Sequence, residues 1–233
     1  MVAILTGMPA KKDTAKSLDK KEKILRTTLQ LFLKKGSYTA TSTTDICSAA
    51  RIARPSLYHY FGSKRNLLFS LHMDHINKVL KPYLEKALSI DDPRERLAFM
   101  VRTYTRDVIG RYPELRFLIH DSLSIKDKYF KEVRQEWKKH YLLLRSTIEE
   151  LQRQGRARKD VTPSWAALFM LGMMTWVTFW LDYDRKGQTD EIADSALQFV
   201  LHGLGSEAPK AAARKPTSPS AKPPKKTSVT KKG

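Results

Sequence analysis

A single cysteine, Cys47, occurs in the 233 residues. That excludes an intramolecular disulfide and a multi-cysteine metal site, and it fits a reducing cytoplasm. Acidic side chains are scarce as well: 24 Asp and Glu stand against 43 Lys and Arg, a formal net charge of +19. A surplus of that size attracts polyanions, either nucleic acid or an anionic membrane face. No nucleophile–base set and no phosphate-cradling glycine loop can be found, so neither an enzymatic activity nor a cofactor is implied. His72 and His75 lie three apart on a helix, but spacing places no third metal ligand beside them. His120 next to Asp121 has no better support as a site. The apolar start, Met1 to Leu5, is too short for a signal-peptide core, and either Met1 or Met8 serves as initiator.

Long uncharged runs are lacking too, with one exception at residues 165–181. As a helix those residues would measure about 26 Å, near the lower limit for crossing a bilayer. Thr175 and Thr178 interrupt the run and no basic cluster flanks it closely. It reads as a helix buried inside a protein, with no membrane partner.

What is present is helical periodicity, and the chain is read as all-α. Ile24, Leu25, Thr28, Leu31 and Phe32 fall on one face of a helix over 20–36, which Gly36 stops. Ser42 and Asp45 resemble a capping box at the start of a short helix through Ala50. A turn at Arg51, Ile52 and Ala53 leads to a second short helix from Pro55 to Phe61. Ser63 caps a long helix kinked at Pro82. Further helices are expected near 93–111, 113–123, 126–155, 163–183 and 189–204, with Pro93, Pro113 and Pro163 at helix starts and Gly155, Gly187 and Gly203 at ends. The chain divides into a flexible basic arm (1–19), a three-helix unit (20–70), a larger helical unit (71–205) and a disordered Lys/Pro/Ala-rich tail (206–233). Basic excess concentrates in two of these: ten Lys and Arg against three acids in 20–75, and eight against one in 206–233. The tail either adds sequence-independent phosphate contacts or is merely solvated.

The strongest signal lies in residues 42–61. Two short helices joined by a three-residue turn form a helix-turn-helix, whose second helix enters the major groove. Arg54 offers a fork suited to guanine, and Ser56 can meet either a base or a phosphate. Tyr58, His59 and Lys64 lie further along, where they would hold the backbone. Ile46, Ala50, Ile52, Leu57 and Phe61 point inward as an apolar seam, with Cys47 on the same side.

These residues, read as Thr-Ser-x-x-Asp-Ile, then Ala-x-Ile-x-Arg-x-Ser-Leu-Tyr-His-Tyr-Phe, then Gly-Ser-Lys-x-x-Leu-Leu, resemble the DNA-binding domain of the TetR family over about residues 22–70. The resemblance implies a homodimer, a ligand-binding carboxy-terminal domain and repression that ligand relieves. By position, Thr43, Tyr58, His59 and Lys64 are similar to the family's phosphate-contacting residues, and Arg54 and Ser56 to its base-reading ones. The chain departs from the pattern in three places. Arg51 stands where the family has a turn glycine, at a cost of about 1 kcal/mol if φ is positive there. Ala53 replaces a hydroxyl cap, and Ser37 is an additional residue after Gly36.

Beyond residue 92 the resemblance is loose and the residues themselves carry the reading. Met170, Met173, Met174 and Trp176 on one helix, with Phe99, Tyr104, Phe117 and His120 on others, are expected to line an apolar pocket, since unbranched Met side chains repack easily. The ligand expected is a small apolar molecule such as a fatty acyl group or acyl-CoA. The same Met and Trp residues also suit a core and a dimer seam, and different faces can serve each. The partners implied are a double-stranded, near-palindromic operator and a second copy of the chain. The rival function is a sequence-nonspecific architectural DNA-binding protein, which would leave the apolar half idle.

Overall fold

The computed structural model describes residues 15–115, 118 and 128–205. The expected arm up to residue 14, most of the helix expected over 113–123, Phe117, His120 and the tail from 206 lie outside the described residues. Among the described residues the fold is helical, with one isolated bridge between Ala157 and Gly205.

Helix α1 (Ala15–Lys35) begins before Lys20 and ends where Gly36, at φ +73°, returns its N–H to Phe32 O at 2.8 Å. That left-handed conformation is open to glycine without a Cβ penalty. The additional Ser37 organises the following turn, its hydroxyl accepting from the N–H of Thr39 and of Ala40. Helix α2 (Thr43–Ala50) has the expected box: Asp45 N–H donates to Ser42 Oγ while Ser42 N–H donates to Asp45 Oδ2. Helix α3 (Arg54–Phe61) has no side-chain cap at Ala53, and Pro55 in its first turn presets φ.

Helix α4 (Lys64–His75) runs through a π-helical turn (Ile76–Leu80) into α5 (Lys81–Leu88). The expected kink at Pro82 takes this form for a steric reason. A proline ring clashes with the carbonyl four residues back and offers no donor to it. Widening the preceding turn, so that Lys81 N–H donates to Ile76 O, relieves both. Helix α6 (Pro93–Thr103), capped by Asp92 Oδ1, continues as a second π-helical turn (Tyr104–Ile109) that ends at Gly110. Gly110 is required by crowding: a Cβ there would sit 2.6 Å from Thr189 Cγ2 and 2.5 Å from Arg106 O. Helix α7 spans Lys128–Arg153, α8 Pro163–Trp176 with a 3₁₀ turn at Val177–Phe179, and α9 Gln188–Leu204. The helix expected over 163–183 therefore stops short. Thr178 turns its hydroxyl back to Thr175 O, and Trp180 leaves helical geometry at φ −128°.

Two apolar clusters form the interior. The smaller joins Ile24, Ile46, Cys47, Ala50, Leu57, Phe61 and Leu67, with Ile52 packed against it. The larger gathers α5 to α9 and takes Phe32 from α1 and Leu68 and Leu71 from α4. Helices α1 and α4 thus belong to both. Lys78, on the first π-turn, adds ion pairs to Glu22 of α1 (2.8 Å) and to Asp74 (2.9 Å). No described helix is long and apolar enough to cross a membrane.

Candidate functional site

Helix α3 is amphipathic over only two turns. Leu57 and Phe61 are buried, whereas Arg54, Tyr58 and His59 are exposed and Ser56 is half-buried. The polar and aromatic side chains therefore project from the domain, as a groove-reading helix requires. Its entry is set by Arg51 at φ 54° and ψ 51°, the one non-glycine residue with positive φ among the described residues. The conformation that the absent turn glycine would favour is kept, with an arginine in it.

Thr43 opens α2 and receives a hydrogen bond from the Arg54 guanidinium at 3.1 Å. Asp45 fixes the approach of α1 to α2. Its carboxylate accepts from Lys35 Nζ at 2.6 Å and from the hydroxyl and N–H of Ser42. The hydrogen bond from Lys35, followed by those from Ser42, holds it well below the usual carboxylate range. Lys64 reaches back: its ammonium donates to Tyr38 O at 2.7 Å and lies 4.0 Å from the centre of the Tyr38 ring.

The residues expected to line a pocket are parted. Tyr104, Met170 and Met174 are buried in the larger cluster, and Phe99 stacks on Tyr83 with ring centres 5.9 Å apart. Met173 is half-buried, and Trp176 is 63% exposed and packs on Phe179. It stands on an outer face that also presents Phe169 and Phe199, each 72% exposed. Two clefts, of about 350 and 480 Å³, run along that face of α8 and α9 and share Met173 and Phe199. Contiguous apolar exposure of this kind marks a surface that another molecule covers.

The interior holds a polar set that periodicity alone does not reveal. Tyr83 OH donates to Met100 O (3.1 Å) and meets His140 Nε2 (2.9 Å), and Tyr104 OH lies 3.2 Å from Thr175 Oγ1. His140 is fully buried with Nδ1 unpartnered among the described residues, and the Thr105 hydroxyl is likewise unpartnered. Burial lowers the His140 ring to about 3. Nearer the DNA-binding half, His75 lies against Tyr112 and Trp137, its Nε2 unpartnered among the described residues, and burial lowers it to about 4. His72, its neighbour on α4, places its two ring nitrogens on the carbonyls of Leu68 and Leu118. Among the described residues no three His, Cys, Asp or Glu side chains converge as a metal site would need.

Residues 24–71 match the family model "Bacterial regulatory proteins, tetR family", and residues 90–204 match "Tetracyclin repressor-like, C-terminal domain". The chain is 24% identical over 202 residues to the transcriptional repressor KstR2 of Rhodococcus jostii, covering 85% of this chain and 97% of that protein. The fold is similar to that of AibR solved with isovaleryl coenzyme A and operator DNA: TM-score 0.70, 24% identity, 80% of this chain and 98% of that one. It is also similar to FadR from Bacillus subtilis solved with stearoyl-CoA: TM-score 0.64, 17% identity, 78% of this chain and 98% of that one.

Proposed function

The chain belongs to the TetR family, and on that premise we propose that it is a ligand-responsive repressor that binds a near-palindromic operator as a homodimer and is not an enzyme. The observation that carries this reading is the split of α3 into a buried pair, Leu57 and Phe61, and an exposed set, Arg54, Tyr58 and His59. Residues 20–70 act as the DNA-binding unit and 71–205 as the effector-binding and pairing unit. Arg54 and Ser56 read bases. Thr43, Tyr58, His59 and Lys64 hold phosphates.

Pairing uses the apolar face of α8 and α9, where Phe169, Trp176 and Phe199 meet a second copy. A two-fold dimer sets its recognition helices about 34–36 Å apart or a multiple of that, one per half-site. The effector is an apolar acyl compound. The acyl-CoA complexes of AibR and FadR support that class, as do the buried methionines of α8. A change in half-site separation carried along α4 and its π-turn then alters operator affinity, and a coupling of about 1–3 kcal/mol shifts it about 5- to 150-fold.

Selection of bound sequences from a random duplex pool, followed by competition with bulk DNA, tests the reading. An inverted repeat should emerge. Binding without sequence preference would favour the architectural alternative instead.

A further inference from the structure

At Arg51 the chain accepts a backbone cost. Its φ of 54° and ψ of 51° lie in the left-handed region, which glycine enters freely and a residue with a Cβ enters at a cost. The backbone on both sides holds it there. Arg51 N–H donates to Ser48 O at 3.3 Å, Ile52 N–H donates to Cys47 O at 3.0 Å, and Ile52 packs against the smaller apolar cluster. Nothing inside the fold offsets the cost: the Arg51 side chain is exposed and makes no hydrogen bond or ion pair among the described residues. A residue held in a sparsely populated conformation, with a side chain unused by the fold, points to a partner outside it.

Charge and position define that partner. Residues 46–73 contain no Asp or Glu and four Lys or Arg, namely Arg51, Arg54, Lys64 and Arg65. Asp45, the carboxylate just before them, is already engaged by Lys35 and Ser42. The surface around Arg51 therefore favours an anion. Helix α3 begins three residues later, and a recognition helix leads into the groove with its first turn. Cα atoms three residues apart lie within about 11 Å of each other, and the major groove is about 12 Å wide. With Arg54 over the bases, Arg51 would stand at the wall of the groove, where the sugar–phosphate strand runs.

We propose that Arg51 is a further DNA-contacting residue, whose guanidinium holds a phosphate at the rim of the groove. This rests on the DNA-binding reading of α3, and it adds a contact that a glycine in the turn cannot make. The planar fork of arginine can bond two oxygens of one phosphate. Such a contact is indifferent to base sequence; it raises affinity and makes binding more sensitive to salt.

Anisotropy titrations of the full chain with the selected operator and with random duplex, between about 50 and 200 mM salt, test it. Each lost phosphate contact lowers the salt slope by about 0.9, so a dimer that loses two should show a slope shallower by about 2. Arg51→Gly and Arg51→Ala should both show that change and bind either duplex about tenfold more weakly at the low-salt end. Arg51→Lys, which keeps the charge, should retain the wild-type slope. The glycine variant relieves the backbone and the alanine variant keeps its Cβ, so a loss common to both belongs to the guanidinium. Wild-type slopes in both variants, or a loss in only one of them, overturn the proposal and leave the DNA-binding reading intact. A wild type that binds neither duplex overturns both together.

Discussion

The Arg54 guanidinium, in the first turn of α3, donates to the Thr43 hydroxyl in the first turn of α2 at 3.1 Å. Two side chains assigned to DNA are thus held together before DNA arrives. The partner is neutral, so exchanging it for a guanine edge removes no ion pair from the protein. The fork is oriented in advance and loses less rotamer freedom on binding.

Arg54→Ala should weaken binding to the selected operator about 5- to 150-fold, that is by about 1–3 kcal/mol, and leave random duplex nearly unaffected. His59→Ala should instead lower affinity for both by a similar factor, because phosphates carry no sequence. Fluorescence anisotropy with the two duplexes at one salt concentration separates these patterns. A uniform loss in Arg54→Ala would remove it from base reading.

Arg51 occupies the left-handed region at φ 54°. Arg51→Gly should raise stability by about 1 kcal/mol, because the Cβ clash is removed. Urea unfolding monitored by circular dichroism gives the sign. A lower midpoint in the glycine variant would mean that the arginine's exposed side chain outweighs its backbone strain.

Acid should destabilise the fold earlier than its carboxylates require. Burial, with the neighbouring His72 as a second cause, holds His75 at about 4, and burial holds His140 at about 3, against 6.5 for an ordinary histidine. The unfolded chain therefore takes up these protons first. The stability gained by keeping both rings neutral is complete above pH 6.5 and drains away as pH falls toward about 4 for His75 and about 3 for His140. Each ring contributes up to about 1.4 kcal/mol per pH unit within that window. His75→Phe should flatten the slope between about pH 6.5 and 5 in denaturant melts; an unaltered slope would show that His75 is not held neutral.

Phe169 and Phe199 project from the face assigned to pairing, and a charge at either would be desolvated there. Phe199→Asp, alone or with Phe169→Asp, should shift sedimentation from dimer to monomer while helix content is retained. Operator affinity should drop with it, since each half-site would then be bound singly. A dimer that survives both substitutions would place the seam elsewhere.

The DNA-binding half was legible because its signals are local. Ser42 and Asp45 form their box within one turn, Gly36 ends α1 by its own φ, and Leu57 and Phe61 are separated by one helical turn. Even the cost at Arg51 could be stated beforehand, since the position, rather than any distant contact, sets it. The carboxy-terminal half was less legible for the opposite reason. Met170 and Met174 face inward while Met173 and Trp176 look outward, a division fixed by which helices happen to pack on α8. The Tyr83–His140 pair joins residues 57 apart in sequence, and no spacing rule connects them. The demand for glycine at position 110 has no local signal, because Thr189, which crowds it, lies on another helix.

The wide turn at Ile76–Leu80 has a consequence for how the two halves are aimed. It accommodates one residue more than a regular turn, and each helical residue advances the chain by about 100°. The extra residue is absorbed within the turn itself, so Tyr83 and Leu84 keep the angular position they would have after a regular turn. Losing one residue there would close the turn and leave both side chains facing as before, with the Pro82 ring set against a regular turn. Losing one from the regular turns of α4 would instead rotate everything after it by about 100°.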